Sequence, residues 1–216
     1  MAINVPDSSE FLEEGKRYEG HGVLDRALEC FESAAEAATD AGALTEALTS
    51  QSRVYRFRSE WDLALDAARR GQEAARGAQL AGPLTEAMIA EGNVLMCRGD
   101  FPDALRIFRA VLDTTTDARV RGIALQNIGS TLWQQGQLGA AERALSESFG
   151  WFHQAEYALG EAIALNNHGR ITLERGDAEL AKVQRAAPQH VARRMDERFA
   201  ERAVRDDQDA DHARIL

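Results

Sequence analysis

Ala124-Leu-Gln-Asn-Ile-Gly-Ser-Thr-Leu-Trp-Gln-Gln-Gly-Gln-Leu-Gly-Ala-Ala-Glu-Arg-Ala-Leu145 reads as two helices joined by a tight turn at Gly136. Apolar and small residues recur at helical spacing on either side of the glycine. The same arrangement returns along the chain. The small residue opening the second helix is Ala27, Ala64, Ala104, Ala141 and Ala181, at intervals of 37, 40, 37 and 40 residues. The residue ending the first helix is Gly22, Ser59, Gly99, Gly136 and Gly176, at the same intervals of 37, 40, 37 and 40. Glycine suits that place because, lacking Cβ, it takes the left-handed conformation that ends a helix. A third series, Gly15, Ser52, Gly92, Gly129 and Gly169, lies inside the first helix, where a small side chain lets the paired helix approach. Three series in one register predict a repeat protein made of helical pairs.

These residues resemble the tetratricopeptide repeat family, whose unit has about 34 residues. Large or small apolar residues of that motif are matched in the third repeat by Met88, Gly92, Leu95, Ala104, Phe108 and Val111. The fourth repeat supplies Leu125, Ile128, Gly129, Leu132, Ala141 and Leu145, and the first Phe11, Gly15, Tyr18, Ala27, Phe31 and Ala34. The likeness runs from Ser8 to Lys182. Two features depart from the motif: its seventh place is polar in several repeats (Glu14, Gln51, Glu91), and the longer period implies longer helices. The resemblance implies an all-α, right-handed α-solenoid of five helical pairs, with units near 8–44, 45–84, 85–121, 122–161 and 162–187. Residues 188–216 are expected to form a capping helix and an acidic tail. The expected helix starts are Ser9, Leu44, Pro83 and Ala158, and the second helix of the first pair is expected to reach Asp40.

Val191, Met195 and Phe199 form a narrow apolar stripe on an otherwise charged segment. Such a stripe suits a terminal cap, which is apolar on one side only, or alternatively a seam for a homodimer. Trp61 is expected in the core, and Phe149, Trp151 and Phe152 are expected to pack on the fifth repeat. Cys30 and Cys97 lie on different repeats and read as small packing residues of a reduced, cytoplasmic protein.

The 216-residue chain carries a net charge of -10. Without clustered Lys and Arg it is a poor match for nucleic acid or an anionic membrane surface. No apolar run is long enough for a transmembrane helix. The five histidines are scattered, and no metal-ligand spacing, P-loop or nucleophile motif appears. Neither a cofactor, a metal nor an enzyme activity is expected.

The resemblance implies a concave groove lined by one face of each first helix. That face holds Lys16 and Glu19, then Arg53 and Arg56, then Asn93 and Met96, then Gln126, Asn127, Ser130 and Trp133, then Asn166, Asn167 and Arg170. Four cations against one acid are unusual in so acidic a chain. Asparagine is a poor residue for a helix interior, yet four line up here, and an amide can pair with both N–H and C=O of an extended peptide. Arginine can hold a carboxylate in a bidentate fork. The expectation is a scaffold or adaptor binding a peptide segment of a protein partner, one with acidic character or a free C-terminal carboxylate. Self-assembly and sensing of a small peptide ligand are the alternatives. The set of residues by which some relatives clamp chaperone carboxylates is not matched.

Overall fold

The computed structural model describes residues 7–174 and Gly176, which form nine α-helices and no strand. They are α1 (Ser8–Gly20), α2 (Leu24–Glu36), α3 (Ala41–Phe57), α4 (Trp61–Gly77), α5 (Ala81–Arg98), α6 (Phe101–Thr114), α7 (Ala118–Gln134), α8 (Leu138–Gln154) and α9 (Ala158–Glu174). The fold is all-α, built of tetratricopeptide-like helical pairs. The second helix of the fifth pair, the expected capping helix and the Val191–Phe199 stripe lie outside the described residues. The chain divides into two compact bodies, Met1–Thr115 and Thr116–Leu216. In body 1, α1 packs on α2, α2 on α3, α3 on α4 and α5, α4 on α5, and α5 on α6. In body 2, α8 packs on both α7 and α9.

The turn within each pair follows the series found in the sequence. Gly22, Ser59, Gly99, Gly136 and Gly176 all have positive φ, from 61° at Ser59 to 93° at Gly99. The next N–H reaches back over the turn to a carbonyl near the helix end, as from Asp100 to Leu95 at 2.9 Å and from Gln137 to Leu132 at 2.9 Å. This satisfies acceptors that the helix end would otherwise leave open. Between pairs, Gln79 and Glu156 take the same left-handed conformation without being glycine.

The inner glycine series works by contact. A Cβ on Gly92 would lie 2.5 Å from the Phe108 ring, one on Gly15 2.5 Å from Phe31, and one on Gly129 2.7 Å from Leu145. Those three large side chains are enclosed, and each fills the space left by its glycine. Hydroxyls add a second tie between the start of the first helix and the end of the second. Ser8 Oγ donates to the Ala34 carbonyl at 2.8 Å, Thr45 Oγ1 to Gly71 at 3.3 Å, and Ser148 Oγ to Gly122 at 2.8 Å.

Some boundaries differ from the expectation. The α2 helix stops at Glu36 instead of Asp40, because Asp40 caps the next helix by accepting from the N–H groups of Gly42 and Ala43. The α3 helix therefore begins at Ala41, before Leu44, and α5 begins at Ala81, before Pro83. Trp61, Phe101 and Leu138 share equivalent places and are all half-buried, so Trp61 borders the core instead of filling it. Phe152 is fully buried, with its ring 5.5 Å from that of Tyr157 at the entry to α9. Trp151 is half-buried under the Arg121 guanidinium at 4.6 Å. Cys97 is exposed and is not a packing residue.

At Gln51, Glu91 and His168 the polar seventh place has a partner on the preceding helix. Gln51 Nε2 donates to the Phe31 carbonyl at 3.0 Å. Buried Glu91 accepts from Gln72 Nε2 at 2.8 Å and from Arg69 Nε at 2.9 Å. His168 Nε2 lies 3.6 Å from Glu142. An apolar residue would pack at these places; a polar one also sets the register between neighbouring pairs.

Candidate functional site

In body 1 the expected residues sit on α1, α3 and α5, and side-chain contacts join these first helices. Lys16 Nζ lies 2.8 Å from Glu13 and 3.0 Å from Glu46, so it bridges α1 and α3. The hydrogen bond to Glu13 raises the pKa of Lys16 above the ordinary lysine value, and the same bond lowers that of Glu13. The guanidinium of Arg53 meets Glu19 in a two-pronged pair, Nε to Oε1 and Nη2 to Oε2 at 2.7 Å. The Glu19 side chain is only 14% exposed. The fork expected to hold a ligand's carboxylate is thus taken by the chain's own carboxylate. Arg56 lies over the Phe57 ring at 4.5 Å, with Nη1 3.7 Å from Cys97 Sγ on α5. Asn93 and Met96 are half-buried on α5.

In body 2 the set divides between α7 and α9. Ser130, Trp133, Asn167 and Arg170 come together around one recess, with Leu145 and Ile171 completing its lining. Arg170 lies over the Trp133 ring, 4.2 Å from its centroid, and Trp133 Nε1 donates to Glu174 at 2.8 Å. Gln126 and Asn127 are half-buried on α7, and Asn166 is exposed on α9; none of these three lines the recess.

The amides behave differently from the charges. The side chains of Asn93, Gln126, Asn127, Asn166 and Asn167 have no hydrogen-bond partner among the described residues. Lys16 and Arg53 are both paired. Glu46, Glu174 and the apolar floor of the recess are missing from the sequence-based set. One signal for Glu174 is present in the register. The contacts Arg56–Cys97 and Trp133–Glu174 both span 41 residues, one more than the interval of 40 between the repeats concerned. No group of His, Cys, Asp and Glu able to hold a metal occurs among the described residues. No described helix is long and apolar enough to cross a membrane.

No protein-family model matches the sequence, and no curated protein matches it. Solved structures share its fold. A Rap protein complexed with competence and sporulation factor is 15% identical, with a TM-score of 0.75 over 84% of this chain and 52% of that one. The Rap conjugation gene regulator of plasmid pLS20, in complex with the Phr* peptide, is 16% identical, with a TM-score of 0.75 over 90% of this chain and 58% of that one. The nearly identical TPR-like repeats of a Podosopora anserina kinesin light chain are 11% identical, with a TM-score of 0.62 over 89% of this chain and 99% of the other. The chain spans little more than half the length of the two Rap structures.

Proposed function

We propose, on the premise of a tetratricopeptide-like repeat fold, that the chain binds a peptide segment through the faces of its first helices, as an adaptor or a peptide sensor. One observation carries this reading. The half-buried amides of Asn93, Gln126, Asn127 and Asn167 have no hydrogen-bond partner among the described residues. Their amide groups stay open to solvent, and an extended peptide offers alternating N–H and C=O groups that suit them. Trp133 adds an aromatic anchor of the kind that concentrates binding energy. The two Rap structures, solved with competence and sporulation factor and with the Phr* peptide, support an occupant of this kind through likeness of fold. Fold alone does not carry function, so the proposal rests on the amides.

The charge of the occupant follows from which cations are engaged. Arg53 is matched by Glu19 and Lys16 by Glu13 and Glu46, so an acidic group of the peptide is read by Arg56 or Arg170. Arg170 has no ion pair among the described residues. Binding is the proposed role, in a cytoplasmic setting.

The test is fluorescence anisotropy with labelled degenerate nonapeptide pools and the full chain. Asn127→Ala with Trp133→Ala should weaken binding by about tenfold or more, as expected on losing a hot-spot aromatic and an amide. Unchanged affinity, with helicity intact by circular dichroism, would sink the proposal for body 2.

A further inference from the structure

One place in the repeat carries a cation three times: Lys16, Arg53 and Arg170 stand at the same register on α1, α3 and α9. The first two hold carboxylates. Lys16 Nζ lies 2.8 Å from Glu13, three residues earlier on its own helix, and 3.0 Å from Glu46 on α3. Arg53 reaches the preceding first helix and takes Glu19 in its two-pronged pair, with Nη2 2.7 Å from Oε2. Arg170 makes the same reach but meets Trp133, which holds in the fourth repeat the place that Glu19 holds in the first. The place of Glu13 is held by Asn167, whose amide has no hydrogen-bond partner among the described residues. The Arg170 guanidinium thus lies over the indole at 4.2 Å and has no ion pair among the described residues. Glu174, four residues on, is turned to the indole N–H at 2.8 Å instead.

We infer that Arg170 is the point of the face that reads a carboxylate: an acidic group of the bound peptide takes at Arg170 the part that Glu19 plays at Arg53. This rests on the peptide-binding reading above and names the chemical group that the face selects. The internal precedent is the first reason, since a cation at this place is met by a carboxylate in both other repeats that have one. Charge is the second. A guanidinium held over a ring by cation–π attraction still has N–H donors to offer, and a carboxylate matches them with two parallel hydrogen bonds. An aliphatic or aromatic side chain laid there would cover the charge without matching it. The third is the surroundings. Ser130 and Asn167 line the same recess as Arg170 and Trp133, no acidic residue lines it, and both can donate to a carboxylate oxygen. Arg56 stands at a different place in its repeat, and its neighbour on α5 is the Cys97 thiol. No pair elsewhere in the described residues shows a cation at that place holding a carboxylate.

The test uses the full chain and labelled nonapeptide pools, degenerate without Asp or Glu outside the centre, read by fluorescence anisotropy. The central residue is Asp or Asn, each with a free or an amidated C-terminus; a further amidated pool has central Phe. Pools with a carboxylate should bind about twofold to fivefold tighter than the amidated Asn pool, the scale of an ion pair at an exposed site. Comparing central Asp with the free terminus distinguishes a side-chain carboxylate from a terminal one. Arg170→Gln, at an exposed position, should remove the difference, and Arg56→Gln should leave it. Trp133→Glu puts an acid at the place of Glu19 and should close the site, bringing the ratio between carboxylate and amide pools to one. Trp133 is half-buried, so Arg170→Gln decides the matter if that variant fails to fold. A preference that persists at full size in Arg170→Gln, or that Arg56→Gln removes, would overturn the inference. So would a Phe pool that binds tightest, in favour of an aromatic group against the guanidinium. Pools that bind equally well, yet still weaken with Asn127→Ala, would overturn it while leaving the peptide reading standing. Failure of every pool to bind would remove both.

Discussion

Ser59 occupies the one turn within the pairs where the left-handed residue is not glycine; its φ is 61°. A Cβ there crowds the following carbonyl, at a cost of about 1–2 kcal/mol. Ser59→Gly should therefore stabilise the chain, by about 0.5–1 kcal/mol once the greater freedom of the unfolded chain is set against it. Urea unfolding of the two proteins side by side measures this; a loss of stability would show that the serine makes a compensating contact. Gly92 tests the opposite case. A methyl group there meets the Phe108 ring at 2.5 Å, and Gly71, at 3.5 Å from Ala87 Cβ, has far more room. Gly92→Ala should cost about 1–3 kcal/mol by overpacking. Adding Phe108→Leu should recover part of that loss. Recovery is the informative outcome, because a simple propensity effect of alanine in a helix would be favourable on its own.

At the scale of elements, aspartates cap α1, α3 and α7, and polar cross-ties align neighbouring helices. Asp7 accepts from the N–H groups of Ser9 and Glu10 at the head of α1. Hydrogen bonding, first from the Ser9 hydroxyl and then from the Glu10 N–H, lowers its pKa below the ordinary aspartate value. A carboxyl group with a depressed folded-state pKa stabilises above its unfolded value, and that contribution is lost as pH falls through the folded value. Protection against hydrogen exchange at the start of α1, relative to the unstructured chain at the same pH, should accordingly fall in acid, and Asp7→Asn should flatten the dependence. Insensitivity of the wild-type exchange ratio to acid would reject the carboxylate as the cap. Gln51 is the plainest cross-tie. Gln51→Leu keeps the bulk but removes the 3.0 Å cross-tie to the Phe31 carbonyl, which still accepts within α2. A neutral hydrogen bond contributes about 0.5–1.5 kcal/mol net, which a thermal melt of the variant would register as a lowered midpoint.

At the scale of the molecule, the distribution of charge sets what the first-helix faces will accept. A net charge of -10 repels acidic partners at long range. Within body 1 two of the three cations that could offset this, Lys16 and Arg53, are spent on Glu13, Glu46 and Glu19. Glu19→Gln would release the Arg53 fork and should raise affinity for acidic peptides by about twofold to fivefold, the scale of a partly exposed ion pair. Neutral peptides should bind as before, and added salt should erase the gain. An equal gain for neutral peptides would mean that the substitution reshapes the face instead of freeing a charge.

The repeat, the helical pairs and the turn residues were determined by the sequence alone. They depend on local rules: glycine or its substitute at a left-handed place, a small residue opposite a large one, and apolar residues at helical spacing. Such rules recur in every pair, so the register is visible before any contact is known. The places of Lys16, Arg53 and Asn93 on the first helices of body 1, and of Asn127 and Trp133 on that of body 2, were legible for the same reason, as fixed positions in a repeated helix. Tertiary structure alone decided which of those side chains are already engaged. Glu19 meets Arg53 across 34 residues, and Glu174 meets Trp133 across 41. It also decided that Leu145 and Ile171 would line a recess beside Trp133. Periodicity says which way a side chain points; only the packing of one helix against the next says what it finds there.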